Sequence, residues 1–296
     1  MDLVDIDDRT ADELHAVLDE ADRLRAAHEA GKPDRPLPDR TLAMVFEKPS
    51  TRTRVSFETG MTQLGGHAVF LGPDDIHLGR GEPLRDTARV LSRYVDFIMA
   101  RVFDHTDVVE LAEFASVPVI NGLSDDAHPC QTLGDLLTIR DEFGTLDVDV
   151  AWVGDGNNVC QSLALGAAMT DLDLTIATPE GYEIDDGVRK RAVGLDGAPE
   201  ETTDPGAAIA DADVVYTDVW VSMGEEDERE AKLQAFEGFQ VTADRLGDRP
   251  LLHCLPAHRG EEVTDEVMEG DHLAWDQAEN RMHAQKGLLA WLAGQP

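Results

Sequence analysis

Lysine is the scarce residue of this chain. Its 296 residues contain only five, at positions 32, 48, 190, 232 and 286, against twenty arginines and sixty acidic residues, for a formal net charge of −35. That balance argues against nucleic acid or an anionic membrane as a partner. Cysteine is almost as sparse. Cys130, Cys160 and Cys254 are an odd three, which argues against a disulfide framework and fits a reducing, cytoplasmic compartment. Neither they nor the histidines show metal-ligand spacing, so no metal and no cofactor are expected. No apolar run reaches the length of a membrane span, and MDLVDIDDRT lacks the basic segment and apolar core of a targeting signal. There is no internal repeat, no low-complexity tract and no acidic tail. The acid is spread along the chain over persistent apolar periodicity, which opposes disorder and points to a surface adapted to high salt.

What the chain has is alternation. Hydrophobic residues make up 42%, enough for two domains of ordinary size. Residues 10–30 read as a helix: Leu14, Val17, Leu18, Ala21 and Leu24 share one face, Thr10 and Glu13 form a capping box, and Gly31 follows the end. Strands are expected at 41–46, 67–71, 96–101 and 117–122, separated by helical patterns. A second series is expected near 148–153, 173–178, 213–217, 250–254 and 272–275, with an acidic, irregular crossover over 179–212. Strands alternating with helices imply parallel α/β architecture.

The densest chemistry follows the first strand. Ser50-Thr51-Arg52-Thr53-Arg54 sits where strand turns to helix. A helix start offers unpaired N–H groups and a positive dipole end; Ser50 and Thr53 add neutral donors, and Arg52 adds a planar fork matched to phosphate. A plain Ser/Thr cap with solvated arginines is the alternative, and five polar residues in a row favour a phosphate site. Arg101 ends a strand, at the edge where parallel sheets bind ligands, though alone it is one arginine among twenty. His128 and Gln131, three apart near a helix start, can face one point. Gly154-Asp155-Gly156-Asn157-Asn158 opens a βα turn, but Val159 stands where a dinucleotide fingerprint wants glycine; its amides suit a carboxylate or amino-acid ligand, or a simple helix cap. Asp218 at a strand end can hold an amine, with Ser222 and Met223 on the loop beyond. Those two are equally readable as loop and packing. Cys254, in His253-Cys254-Leu255-Pro256, is by default a small hydrophobe; the neighbouring His253 and the Asp218 strand make it a candidate polar contact. Arg281 begins the last helix and could reach a substrate carbonyl from the second domain.

In order, STRTR, HPCQ, DGNN, DxxxSMG, HCLP and AENR resemble the motifs of the aspartate/ornithine carbamoyltransferase superfamily, over about residues 5–292, with SMG and HCLP closest to its ornithine branch. The resemblance implies an α/β fold of two doubly wound parallel-sheet domains: residues 1–135, joined by a returning C-terminal helix at 277–296, and residues 136–276. It implies transfer of a carbamoyl group from carbamoyl phosphate to L-ornithine, with aspartate, putrescine or an acylated ornithine as alternative acceptors and a non-catalytic homologue as the alternative class. Ser50, Thr51, Arg52 and Thr53 would hold the phosphate. Arg101, His128, Gln131 and Arg281 would hold carbamoyl and phosphate oxygens. Asn158, Asp218, Ser222 and Met223 would bind ornithine, and Cys254 and Leu255 would contact the δ-amine and the carbamoyl group. Thr53, Arg101, His128 and Cys254 are the implied catalytic set. His77, in the loop 74–82, is a further candidate phosphate contact. A cis Leu255–Pro256 bond and a trimer-based homo-oligomer are also implied.

Overall fold

The run TLAMVF forms β1 (Thr41–Phe46), with every residue after Thr41 buried. Such a continuous apolar run suits a strand covered on both faces. A computed structural model describes residues 2–75, 82–195, 197–222 and 224–294, so His77 and Met223 lie outside the described residues. Before β1 comes α1 (Ala11–Glu29). Its Thr10 hydroxyl accepts from Glu13 N at 3.3 Å while Glu13 accepts from Thr10 N at 2.9 Å, and the five expected apolar residues are buried.

After β1 follow α2 (Thr51–Gln63), β2 (His67–Leu71), α3 (Leu84–Leu91), β3 (Phe97–Arg101), α4 (His105–Phe114), β4 (Val119–Leu123) and α5 (Pro129–Phe143). The four strands pair in parallel in the order β2-β1-β3-β4. The chain next forms β5 (Asp149–Val153), α6 (Asn158–Ala168), β6 (Asp173–Ala177), α7 (Asp186–Gly194), β7 (Glu200–Thr202), α8 (Pro205–Ala210) and β8 (Val214–Thr217). It ends with α9 (Arg229–Ala235), α10 (Ala243–Leu246), β9 (Leu251–His253), α11 (Asp265–Met268) and α12 (Ala274–Ala293). The second sheet is also parallel, in the order β7-β6-β5-β8-β9. Two compact units result: Met1–Gly134 with Asn280–Pro296, and Asp135–Glu279. The C-terminal helix returns to the first unit through Lys286, whose Nζ donates to Gln63 Oε1 at 2.8 Å.

Each unit has its own core. In the first, Val45, Ile98, Ala100, Val108, Leu111 and Val119 pack together. In the second, Ala151, Val153, Val215, Trp220, Phe236 and Leu251 do so. In both sheets the chain leaves a central strand in one direction and later returns to its other side, between β1 and β3 and between β5 and β8. Ligands of open parallel sheets bind at the carboxyl ends of the strands at such reversals.

One expected strand is absent. Residues 272–275 are the entry to α12. Leu273 N does bond Leu251 O at 2.9 Å, but His272 Nδ1 accepts from Ala274 N at 3.1 Å and Leu273 O accepts from Gln277 N at 2.8 Å, which starts a helix. The fifth strand is β7, inside the stretch expected to be irregular. Among the described residues, no helix is long and apolar enough to cross a membrane.

Candidate active site

In the first unit the site begins at the β1–α2 turn. Ser50 caps α2: its Oγ accepts from Thr53 N at 3.2 Å and donates to Thr53 Oγ1 at 3.1 Å. Arg101, the last residue of β3, is buried and reaches the same Thr53 Oγ1 with Nη1 at 3.5 Å. β1 and β3 are paired with Phe46 opposite Arg101, so sheet register carries Arg101 to the start of α2. Arg52 is half-buried and Thr51 is exposed on that first turn. Arg54 turns elsewhere: it pairs with Glu58 at 3.0 Å and lies 3.9 Å over the Phe70 ring.

His128 directly precedes α5, and Gln131 lies in its first turn; both are 2% exposed. Gln131 Oε1 accepts from Arg281 Nη1 at 2.9 Å. Arg281 therefore lies in the first unit, not in the second domain from which it was expected to reach. The cause is a close helix contact. A Cβ on Gly134 would lie only 2.9 Å from Arg281 Cα and 3.0 Å from its Cβ, so glycine lets α12 pack directly on α5. Burial, reinforced by the Arg281 and Arg101 charges, holds the His128 imidazole well below its usual pKa. It is neutral at physiological pH and can donate a hydrogen bond to a carbonyl oxygen. Burial pushes the neighbouring Cys130 thiol up to about 12, which makes it inert. The unit thus gathers the buried Thr53, Arg101, His128, Gln131 and Arg281, with the half-buried Ser50 at its rim, into a cationic cluster of donors.

In the second unit, Asp218 follows β8 and is buried. Its Oδ2 accepts from Asn157 Nδ2 at 3.2 Å, while Asn157 Oδ1 caps α6 by accepting from Val159 N at 3.0 Å and Cys160 N at 3.1 Å. Asn158, expected to bind ornithine, is the first residue of α6; its neighbour Asn157 caps the helix and bonds Asp218. Burial pushes the Asp218 carboxyl up, with His253 pulling it down. His253 Nδ1 stands 3.9 Å from Asp218 Oδ1 and accepts from Leu255 N at 2.9 Å. Its proton is therefore assigned to Nε2, which faces Glu262 Oε1 at 3.2 Å. Cys254 is half-buried beyond β9. The Leu255–Pro256 bond is cis, and Leu255 has φ +60°, a left-handed backbone that is rare away from glycine and gathers at functional sites.

The loop after Asp218 is tied down by a network that sequence reasoning missed. Ser222 N donates to Glu225 Oε2 at 2.9 Å, and the buried Lys232 ammonium bonds both Glu225 Oε2 and Asp155 Oδ2 at 2.6 Å. Asp155 in turn starts the turn that carries Asn157. One lysine thus pins the Ser222 loop to the βα turn beside Asp218. The only hint in sequence was a lysine kept where lysine is rare. Burial pushes Asp155 up to about 6, from an ordinary 3.8, against the pull of Lys232. A raised folded-state pKa means that ionising Asp155 opposes folding increasingly as pH rises from about 4 to about 6, and the cost is constant above that; Lys232 keeps it smaller than it would otherwise be. Lys232→Met should therefore destabilise by about 3–5 kcal/mol at pH 8, where it strands a buried carboxylate, and by much less at pH 5, where Asp155 is largely protonated. Denaturant melts of both proteins at the two pH values check this; an equal loss at both would contradict it.

Residues 1–141 match the carbamoyl-phosphate-binding domain of the aspartate/ornithine carbamoyltransferases, and residues 146–292 match their Asp/Orn-binding domain. An ornithine carbamoyltransferase from Haloquadratum walsbyi is 62% identical over 98% of this chain and 96% of its own length. The solved structure of ornithine carbamoyltransferase from Pyrococcus furiosus is 52% identical, covers 100% of this chain and 98% of its own, and superposes with a TM-score of 0.94. That of the anabolic enzyme from Campylobacter jejuni is 41% identical, covers 99% of both chains and has a TM-score of 0.93. With both family domains matched in sequence and the fold shared from end to end, the chain belongs to the aspartate/ornithine carbamoyltransferase family.

Proposed function

We propose that this protein transfers the carbamoyl group of carbamoyl phosphate to the δ-amine of L-ornithine, giving L-citrulline and phosphate. The observation that carries the choice of acceptor is Asp218: a buried carboxylate beside Asn157 and His253 attracts an amine and repels the carboxylates of aspartate. The full-length relatives described as ornithine carbamoyltransferases support the same reading.

In the reaction the neutral δ-amine attacks the carbamoyl carbon, and the bond from that carbon to the bridging oxygen of the acyl phosphate breaks. Phosphate leaves with the electron pair, and the amine nitrogen gives up a proton. Negative charge grows on the carbamoyl oxygen meanwhile. Arg101, the neutral His128 and Thr53 are the donors assigned to it; one such preorganised donor is typically worth about 3 kcal/mol. Arg52, Ser50, Thr51 and the α2 N-terminus take the phosphate, with Gln131 and Arg281 holding carbamoyl and phosphate oxygens. Asp218, Asn158, Ser222 and Met223 hold ornithine, and Cys254 and Leu255 contact the amine and the carbamoyl group.

The test is an acceptor panel with carbamoyl phosphate: L-ornithine, aspartate, putrescine and an acylated ornithine. Citrulline formation should dominate by orders of magnitude, and preferred formation of carbamoyl-aspartate would overturn the assignment. The protein is further assigned to the cytoplasm, which fits its three free cysteines, and to a trimer-based homo-oligomer.

A further inference from the structure

The segment after Cys254 holds a cluster outside the residues assigned above. His258, Glu261 and Glu262 each offer one ligand atom, and those atoms all lie within 4.8 Å of one another. The spacing is i, i+3, i+4, but the geometry is that of a tight turn. Glu261 N bonds His258 O at 2.9 Å, Gly260 N bonds Val263 O at 2.8 Å, and Gly260 has φ +95°. Only glycine adopts that backbone readily, and it folds the turn so that His258 and Glu261 meet, with Nδ1 and Oε2 3.8 Å apart.

A second observation is independent of this proximity. Among the described residues, few side-chain polar atoms are buried without a hydrogen-bond partner, and three of them are His258 Nδ1, Glu261 Oε2 and Glu262 Oε2. Glu262 is fully buried. Its Oε1 is satisfied by His253 Nε2 at 3.2 Å and His258 N at 2.5 Å, while Oε2 is not. Glu261 gives Oε1 to Arg229 and keeps Oε2 for the cluster. Buried polar atoms of native proteins are nearly always satisfied, and orphans require an explanation. A buried carboxylate with an idle oxygen is costly unless a positive charge answers it.

We propose that His258, Glu261 and Glu262 bind one divalent first-row transition-metal ion. One imidazole and two carboxylates are a familiar ligand set for such ions, and half-burial of His258 and Glu261 leaves room for water to complete the shell. The ion's role is structural. Glu262 holds His253, which in turn accepts from Leu255 N, so the ion would neutralise the carboxylate that props the Cys254–Leu255 segment. A search for Cys and His spacing does not see this site, because its donors are mostly carboxylates and its spacing is set by the Gly260 turn.

The test is Mn²⁺ binding to the intact, chelator-stripped protein, read from loss of the free-ion EPR signal. Mn²⁺ favours carboxylate over thiolate, which keeps Cys254 out of the count, and molar KCl suppresses weak binding to the acidic surface. One tight equivalent per chain is expected, accompanied by a rise in Tm. His258→Ala and Glu261→Gln, both at partly exposed positions, should each abolish that equivalent and the Tm response, whereas Glu266→Gln, at an exposed position of α11, should leave both unchanged. No tight equivalent in the unaltered protein, or the same equivalent in His258→Ala and Glu261→Gln, would overturn the proposal.

Discussion

Arg101→Met should lower kcat by roughly 10²–10³-fold while leaving the fold intact. The size follows from removing a fixed donor from the oxygen on which charge develops, about 3–4 kcal/mol of transition-state stabilisation. The guanidinium is buried at the end of β3 and directed at Thr53, so its loss is not made good by water as at a surface. Stability should not fall in step, because exchanging a buried charge for an apolar side chain of similar length is often neutral or stabilising. Arg101→Lys should restore little, since an ammonium on a flexible stem does not reproduce the planar fork. The KM for ornithine should barely move, because Asp218 and its neighbours belong to the other unit. Steady-state kinetics and melts on the three proteins decide the matter. A kcat within a few-fold of the unaltered enzyme would remove Arg101 from the reacting centre and return it to a packing role.

The parts of this molecule that were legible in sequence are those set by local chemistry. TLAMVF announces a buried strand through its apolar run, Thr10 and Glu13 announce a helix start, and the STRTR turn is a cap because Ser50 Oγ reaches Thr53 N three residues on. Failures occur where tertiary contacts decide. β7 is Glu-Glu-Thr, with no apolar residue to mark it; it is a strand only because β6 offers an open edge, pairing Thr175 with Glu200. Residues 272–275 have a strand-like composition, yet His272 turns them into a helix entry. Arg281 was readable as a site candidate but not as a hydrogen-bond partner of Gln131, since 150 residues separate them. Lys232, Glu225 and Asp155 are individually ordinary, and their network exists only once α9 packs beside the β5–α6 turn. Motif order found the candidate site residues; it did not find what holds them in place.

Melting temperature and activity should rise with KCl or NaCl into the molar range, and low salt should dissociate or unfold the protein. A net charge of −35 on 296 residues repels itself in any compact state. Many arginines are already engaged at the surface: Arg23 bonds Glu20 and Asp34, and Arg259 bonds Asp265 and Glu269. Such exposed pairs contribute little each, so they do not cancel an excess of 35 negative charges. Salt does so by range: the Debye length falls from about 10 Å at 0.1 M to about 3 Å at 1 M, which removes repulsion between charges a helix apart while leaving contact pairs such as Lys232–Asp155 largely intact. Each 1 kcal/mol recovered is worth roughly 2–4 °C for a domain of 150–250 residues, and a rise of about 10 °C or more between 0.1 M and multimolar KCl is expected. Sedimentation should report a multiple of the 32.3 kDa chain at high salt and a shift toward the single chain at low salt. Chloride competes for the same guanidiniums as phosphate, so the KM for carbamoyl phosphate should climb modestly over the range in which Tm climbs. That opposition separates screening from a general salting effect on the active site. A Tm that stays flat or falls as salt rises would sink the account of the acidic surface, whatever becomes of the catalytic assignments.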